Sequence, residues 1–144
     1  MRLAFGCDPN ATEFKKALIA HAESLGHEVT DYPSEDPVYA NVAIAVATDV
    51  AAGKFDRGVL LCGTGIGVSI AANKVRGAYC ACVTDVYQAQ RATLSNNANL
   101  IAMGAQVTGL ESAKVYLAEY LDNTFDPNSR SGVKVDAIKD YENQ

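Results

Sequence analysis

The residues with the clearest chemical potential form one segment in the middle of the chain, Cys62-Gly63-Thr64-Gly65-Ile66-Gly67. Three glycines at alternate positions allow the main chain to turn with positive φ and a ligand to approach it closely. Free N–H groups at such a turn form a cradle for an anion and stabilise a thiolate, the reactive form of cysteine. The segment predicts that Cys62 acts as a base or nucleophile; the alternative is a tight turn beside a buried cysteine.

This segment differs from two common phosphate-binding motifs. It is not a P-loop, because no Gly-Lys-Ser or Gly-Lys-Thr follows it. It is not a strict dinucleotide fingerprint, because the second spacer is missing and the segment follows the third predicted strand instead of the first. In a chain of net charge −5, any anionic ligand would have to be held by a local pocket and not by the overall charge of the protein.

Three other places carry polar groups with chemical potential. Asp8 follows the first predicted strand and can relay a proton or bind a hydroxyl, although a turn before Pro9 is an equal alternative. Asn96 lies in a polar stretch that is also typical of an ordinary loop. Arg130 and Lys134 are four residues apart and could hold a phosphate; the alternative is a solvated helix face.

The elements that must position these groups alternate between strand and helix along the chain. Hydrophobic periodicity predicts strands over residues 3–7, 28–32, 57–62, 78–83 and 100–103, and helices over 11–25, 39–52, 68–73, 85–95, 110–121 and 133–141. The pattern indicates an α/β fold, a three-layer α/β/α, doubly wound, five-stranded parallel sheet of the Rossmann-like kind. We expect a single domain over residues 1–144, with 28–32 near an edge and 78–83 buried.

This topology predicts where the site lies. Ligands of open α/β sheets bind beyond the carboxyl ends of the strands, where the strand order reverses. The groups expected there are Cys7-Asp8, Cys62-Gly63-Thr64, Thr84-Asp85 and Gly104.

Composition narrows the function classes. The 144 residues are 49% hydrophobic and 20% charged, which argues against disorder, and the formal net charge of −5 disfavours nucleic acid and anionic membranes as partners. No apolar run reaches the roughly 18 residues that span a bilayer, and the amino terminus does not resemble a signal peptide, so we expect a cytoplasmic protein. We expect four free thiols and no metal, because His21 and His27 are the only histidines and Cys80-Ala81-Cys82 supplies too few ligands.

Taken together, these motifs resemble the family of ribose-5-phosphate isomerase type B and galactose-6-phosphate isomerase. The resemblance extends over about residues 2–140. The matching segments are Gly6-Cys7-Asp8, Cys62-Gly63-Thr64-Gly65-Ile66-Gly67, Ala71-Ala72-Asn73-Lys74, Asn96 with Asn99, and Val107-Thr108-Gly109. The resemblance implies a cofactor-free and metal-free enzyme that interconverts aldose and ketose phosphates through a cis-enediol(ate).

The resemblance also implies a role for each site residue. Cys62 would be the base, assisted by Asp8 and Thr64, and the main-chain amides of residues 63–67 would stabilise the enediolate oxygen. The residues expected to contact a phosphorylated sugar are Gly63, Gly65, Ile66, Gly67, Ser69, Tyr39, Ser95, Asn96, Arg130 and Lys134. In this family the site draws on two subunits, so we expect a homodimer or a dimer of dimers.

Three positions depart from the family pattern. Pro9 stands where many members have a histidine that contacts the phosphate, and Ser95 stands where many have a histidine that opens the sugar ring. Gln106 stands at a position that is often arginine. A tetrose phosphorylated on O4 cannot close a furanose ring and needs no ring-opening group. Residues 90–98 and 125–131 also resemble the branch that acts on D-erythrulose 4-phosphate.

Our substrate hypothesis is therefore the interconversion of D-erythrulose 4-phosphate and D-erythrose 4-phosphate. A ribose 5-phosphate or galactose 6-phosphate isomerase is the first alternative. A non-catalytic phosphate- or nucleotide-binding module is the second, because the fold alone does not fix the function.

Overall fold

The computed structural model of the protein describes all 144 residues. Its five strands are β1 Arg2–Cys7, β2 Glu28–Asp31, β3 Arg57–Cys62, β4 Cys80–Cys82 and β5 Leu100–Gly104. Its six α-helices are α1 Thr12–Ser24, α2 Tyr39–Ala51, α3 Ile66–Ala72, α4 Val86–Leu94, α5 Leu110–Asp122 and α6 Gly132–Glu142. None of these helices has the length and hydropathy needed to cross a bilayer.

The strands form one parallel sheet in the order β2-β1-β3-β5-β4. Register places Cys7 opposite Leu61 and Cys62 opposite Gly104, so the ends of β1, β3 and β5 lie side by side. The connection from β1 leads to β2 on one side, and the chain then returns across β1 to β3 on the other. The order therefore reverses between β1 and β3, which is the switch point that the sequence predicts, and the expected fold class is confirmed.

Two hydrophobic cores cover the two faces of the sheet. Phe5 and Leu61 pack on one face with residues of α1, α4 and α5, whereas Leu60 and Cys62 pack on the other with residues of α2 and α3. This separation follows from the period of two in a strand, which sends neighbouring side chains to opposite faces. As a result, Cys62 projects from the end of β3 onto the face covered by α3.

The fourth strand differs from the expectation of a buried strand over 78–83. It comprises three half-buried residues at an edge of the sheet. The amide of Tyr79 donates to the Asn99 side chain, and that of Cys80 donates to the Asn73 side chain. Because side chains satisfy these amides, the regular ladder begins late and the strand is short.

Helix α3 also begins two residues before the predicted start. Gly65 adopts φ +79° and completes the turn after β3, so the helix starts at Ile66. A Cβ atom at Gly65 would lie 2.9 Å from the main chain of Met103, which makes glycine necessary here for space as well as for conformation.

Candidate active site

The switch point brings the ends of β1 and β3 into direct contact. The amide of Asp8 donates to the Leu61 carbonyl at 2.9 Å, which places Asp8 beside the glycine turn, residues 62–67. One carboxylate oxygen of Asp8, Oδ1, accepts from the Asn10 amide at 2.8 Å and caps the short 3-10 turn Pro9–Ala11. The turn that was the alternative interpretation of Asp8 is therefore present, and it orients the carboxylate at the carboxyl edge of the sheet.

The thiol of Cys62 lies at the base of the glycine turn. The residue is 5% exposed, and its Sγ accepts a hydrogen bond from the Gly65 amide at 3.1 Å. The loop thus points a donor at the one atom that the sequence analysis selects as the base.

Further main-chain donors of the turn remain unused. The amide of Ile66 donates to Thr64 Oγ1 at 3.3 Å. The N–H groups of Thr64, Gly67 and Val68 donate to no acceptor within the chain. Such preorganised donors stabilise an oxygen on which negative charge develops, without reorganisation during the reaction.

Two side chains pack against this turn. The ring of Tyr39, at the start of α2, lies against Gly67, where an added Cβ would come within 2.4 Å of the tyrosine hydroxyl. The carboxamide of Gln106 lies beside Gly63, with Oε1 3.3 Å from where a Cβ would stand. Tyr39 is therefore a wall of the turn, and Gln106 places a neutral amide next to Gly63.

Ser69 belongs to the packed interior and not to the open glycine turn. It is buried on the inner side of α3, and its hydroxyl donates to the Cys80 carbonyl at 3.4 Å.

Burial raises the pKa of Cys80 to about 12, and burial together with the nearby Cys62 raises the pKa of Cys82. These two thiols stay protonated at neutral pH, so they do not compete with Cys62 as bases.

The remaining candidate residues meet in a second place. A cavity of about 320 Å³ is lined by Ser95, Asn96, Arg130 and Lys134. It also contains Arg91, to which the sequence analysis gives no role. The Arg91 Nε donates to Ser95 Oγ at 2.6 Å, and Asn96 Nδ2 donates to the Arg91 carbonyl at 2.9 Å. The spacing of four residues between Arg91 and Ser95 on a helix was the available signal.

The glycine turn and this basic cavity are separate in the structure, because no residue of the turn lines the cavity. Each helix of a parallel fold returns against its strands, so α4 begins beyond the carboxyl end of β4 and ends at Leu94, shortly before β5 begins. Leu100 starts β5 and Gly104, opposite Cys62, ends it. At roughly 3.3 Å per residue these two residues are about 13 Å apart. In this chain Cys62 is not among the residues that line the cavity with Arg130 and Lys134.

The two histidines belong to neither group. His21 and His27 line a cavity of about 680 Å³ with residues of α5, including Glu111 and Lys114. No three or more His, Cys, Asp and Glu side chains lie close enough together to hold a metal ion.

Comparison with known proteins gives a consistent result. The family described as Ribose/Galactose Isomerase matches residues 3–138. The chain is 43% identical to a D-erythrulose-4-phosphate isomerase of Pectobacterium atrosepticum, over 100% of this chain and 97% of that protein. It is 40% identical to a ribose-5-P isomerase B of Listeria innocua, over 99% and 97% of the two chains.

Solved structures agree with the sequence comparison. The fold is similar to that of ribose-5-phosphate isomerase B from Clostridium thermocellum, with a TM-score of 0.93 and 33% sequence identity. The similarity covers 99% of this chain and 98% of the other.

Proposed function

This chain belongs to the Ribose/Galactose Isomerase family of sugar-phosphate isomerases, and on that premise we propose that it interconverts D-erythrulose 4-phosphate and D-erythrose 4-phosphate with Cys62 as the base. The observation that carries the proposal is the Gly65 amide directed at Cys62 Sγ, beside main-chain N–H groups that have no acceptor in the chain.

In this reaction, the Cys62 thiolate removes a proton from C1 of the ketose. The C–H electron pair forms the C1–C2 double bond, and the carbonyl electrons move onto O2. The free N–H groups of Thr64, Gly67 and Val68 are placed to stabilise that oxygen. The hydroxyl proton then passes from O1 to O2, and the Cys62 thiol returns its proton to C2 to give the aldose. Asp8, at the same edge, is placed to hold a substrate hydroxyl.

The state of Ser95 supports a substrate that does not cyclise. Opening a sugar ring requires a group that takes the proton of the anomeric hydroxyl. The Ser95 oxygen accepts from the Arg91 guanidinium, and an oxygen bound to a cation is a poor proton acceptor. A tetrose 4-phosphate has no free O4 with which to close a furanose ring, so it does not need this base.

We propose further that a second copy of the chain completes each site. The turn and the basic cavity are separate within one chain, and a second copy would bring its own basic cavity, with Arg130 and Lys134, to Cys62. Apolar side chains on α3 and α6 are exposed, as a subunit interface requires; they include Ile66, Ile70, Val133 and Tyr141. The assembly is a homodimer or a dimer of dimers, in which residues 1–144 form one isomerase domain.

The proposal is tested by turnover on three substrates side by side, with proton NMR in deuterated water. We expect the highest kcat/KM on D-erythrulose 4-phosphate, with deuterium at the carbon next to the carbonyl. High activity on ribose 5-phosphate or galactose 6-phosphate without activity on the tetrulose would refute the substrate. Binding of all three without turnover would instead support a non-catalytic phosphate-binding module.

A further inference from the structure

The basic cavity carries three positive charges that the chain does not neutralise. Arg91, Arg130 and Lys134 line it, and no acidic residue does. The five ion pairs of the protein use other basic residues, namely Arg2, Lys15, Lys16, Lys54 and Lys114. In a protein of formal net charge −5, three unpaired cations around one cavity repel one another until an anion binds between them.

Arg91 differs from the other two cations because the structure fixes its side chain. It is half-buried, whereas Arg130 and Lys134 are exposed. Its Nε donates to Ser95 Oγ at 2.6 Å, which orients the planar guanidinium. Its Nη1 and Nη2 atoms donate to no group of the chain. A guanidinium with both Nη atoms free is suited to the paired oxygens of a phosphate.

We propose that Arg91 binds the substrate phosphate through its Nη atoms, together with Arg130 and Lys134, and at the same time positions the Ser95 hydroxyl as a donor to the substrate. This inference rests on the proposed function for the identity of the substrate. Its anion-binding part applies to any ligand that carries a phosphate.

The chemistry of Ser95 follows from the same hydrogen bond. Its oxygen accepts from Arg91, so the hydroxyl proton is the group left to offer to a ligand. The guanidinium and the Lys134 ammonium present charged donors that match a phosphate dianion, and the Ser95 hydroxyl is left to donate to another oxygen of the substrate. Arg91 thereby supplies a cation to a chain in which Pro9 stands in place of a histidine, and Gln106 in place of an arginine, that many members of the family have.

The test measures inorganic phosphate binding by calorimetry on the full-length protein and three variants. Arg91→Gln should weaken phosphate binding by about ten- to a hundredfold, the usual effect of losing a hydrogen bond between charged groups. Arg91→Lys, which keeps the charge but not the fork, should lie between Arg91→Gln and the wild type. Lys16→Gln removes one charge from an exposed position on α1 and should bind phosphate as the wild type does.

Ser95→Ala distinguishes direct binding from an effect through Ser95. Because the Nη atoms remain, we expect phosphate affinity within about threefold of the wild type, with a lower kcat on D-erythrulose 4-phosphate. In contrast, Arg91→Gln should chiefly raise KM. Thermal unfolding should show that both variants are folded.

Three results would overturn the inference: wild-type phosphate affinity in Arg91→Gln, an equal loss of affinity in Ser95→Ala, or no phosphate binding by the wild type. These outcomes are separate from failure of the proposed function. A protein that isomerises none of the three sugars, but loses phosphate affinity in Arg91→Gln, refutes the reaction and retains the anion site.

Discussion

Two inactive variants of this chain should restore each other's activity if each site combines Cys62 of one subunit with the basic cavity of another. Cys62→Ala removes the base and leaves the cavity intact. Arg130→Gln with Lys134→Gln removes two cations of the cavity and leaves the glycine turn intact. Within one chain no residue of the glycine turn lines the basic cavity, so the two variants damage separate parts of the proposed site.

The size of the recovery follows from the symmetry of a dimer. Random mixing of equal amounts makes half of the dimers mixed, and each mixed dimer has one complete site out of two, so about a quarter of wild-type activity returns. The assay follows D-erythrulose 4-phosphate turnover after the variants are unfolded and refolded together. Mixing either variant with a chain that carries all three substitutions is the control, because no complete site can form. A mixture as inactive as its parents would refute a site shared between subunits.

Three further predictions follow from individual contacts. Gly67→Ala should lower kcat by at least about tenfold, because its Cβ would lie 2.4 Å from the Tyr39 hydroxyl and displace the turn. Steady-state kinetics measure the loss, and thermal unfolding should show little change in stability. Tyr120→Phe should destabilise the protein by about 1–2 kcal/mol in urea without changing kcat, because its buried hydroxyl donates to a main-chain carbonyl at 2.9 Å. Hydrogen bonds, first of all from Tyr79, hold the pKa of the Glu142 carboxyl below its ordinary value of 4.5. This pair should therefore stabilise the fold above about pH 4.5 and lose its effect as the pH falls through the lowered pKa. The difference in Tm between the wild type and Tyr79→Phe should narrow over the same pH range.

Much of the fold follows from local pattern. The strand Arg57–Cys62 has the predicted bounds, because a continuous apolar run between charged and glycine-rich segments describes a central parallel strand well. The strand at Glu28–Asp31 lies at an edge, as its polar residues indicate. The strand at Cys80–Cys82 is shorter and more exposed than expected, because the side chains of Asn73 and Asn99 satisfy nearby amides, and apolar periodicity does not report such pairings.

The two parts of the candidate site also differ in how far the sequence predicts them. The turn after Cys62 is predictable because its three glycines lie within five residues of one another and their conformational freedom has a local meaning. The basic cavity joins Arg91 and Ser95 with Arg130, more than thirty positions away, and only tertiary packing brings them together. Its separation from the glycine turn is a property of the tertiary packing and not of any motif.

The role of Cys62 is tested most directly by comparing proton exchange in the wild type and Cys62→Ala, with D-erythrulose 4-phosphate in deuterated water. We expect exchange at C1 to fall by at least about a thousandfold, because no other group at the turn takes this proton, while inorganic phosphate binds as before. Exchange in Cys62→Ala close to that of the wild type would contradict the assignment of the thiol as the base.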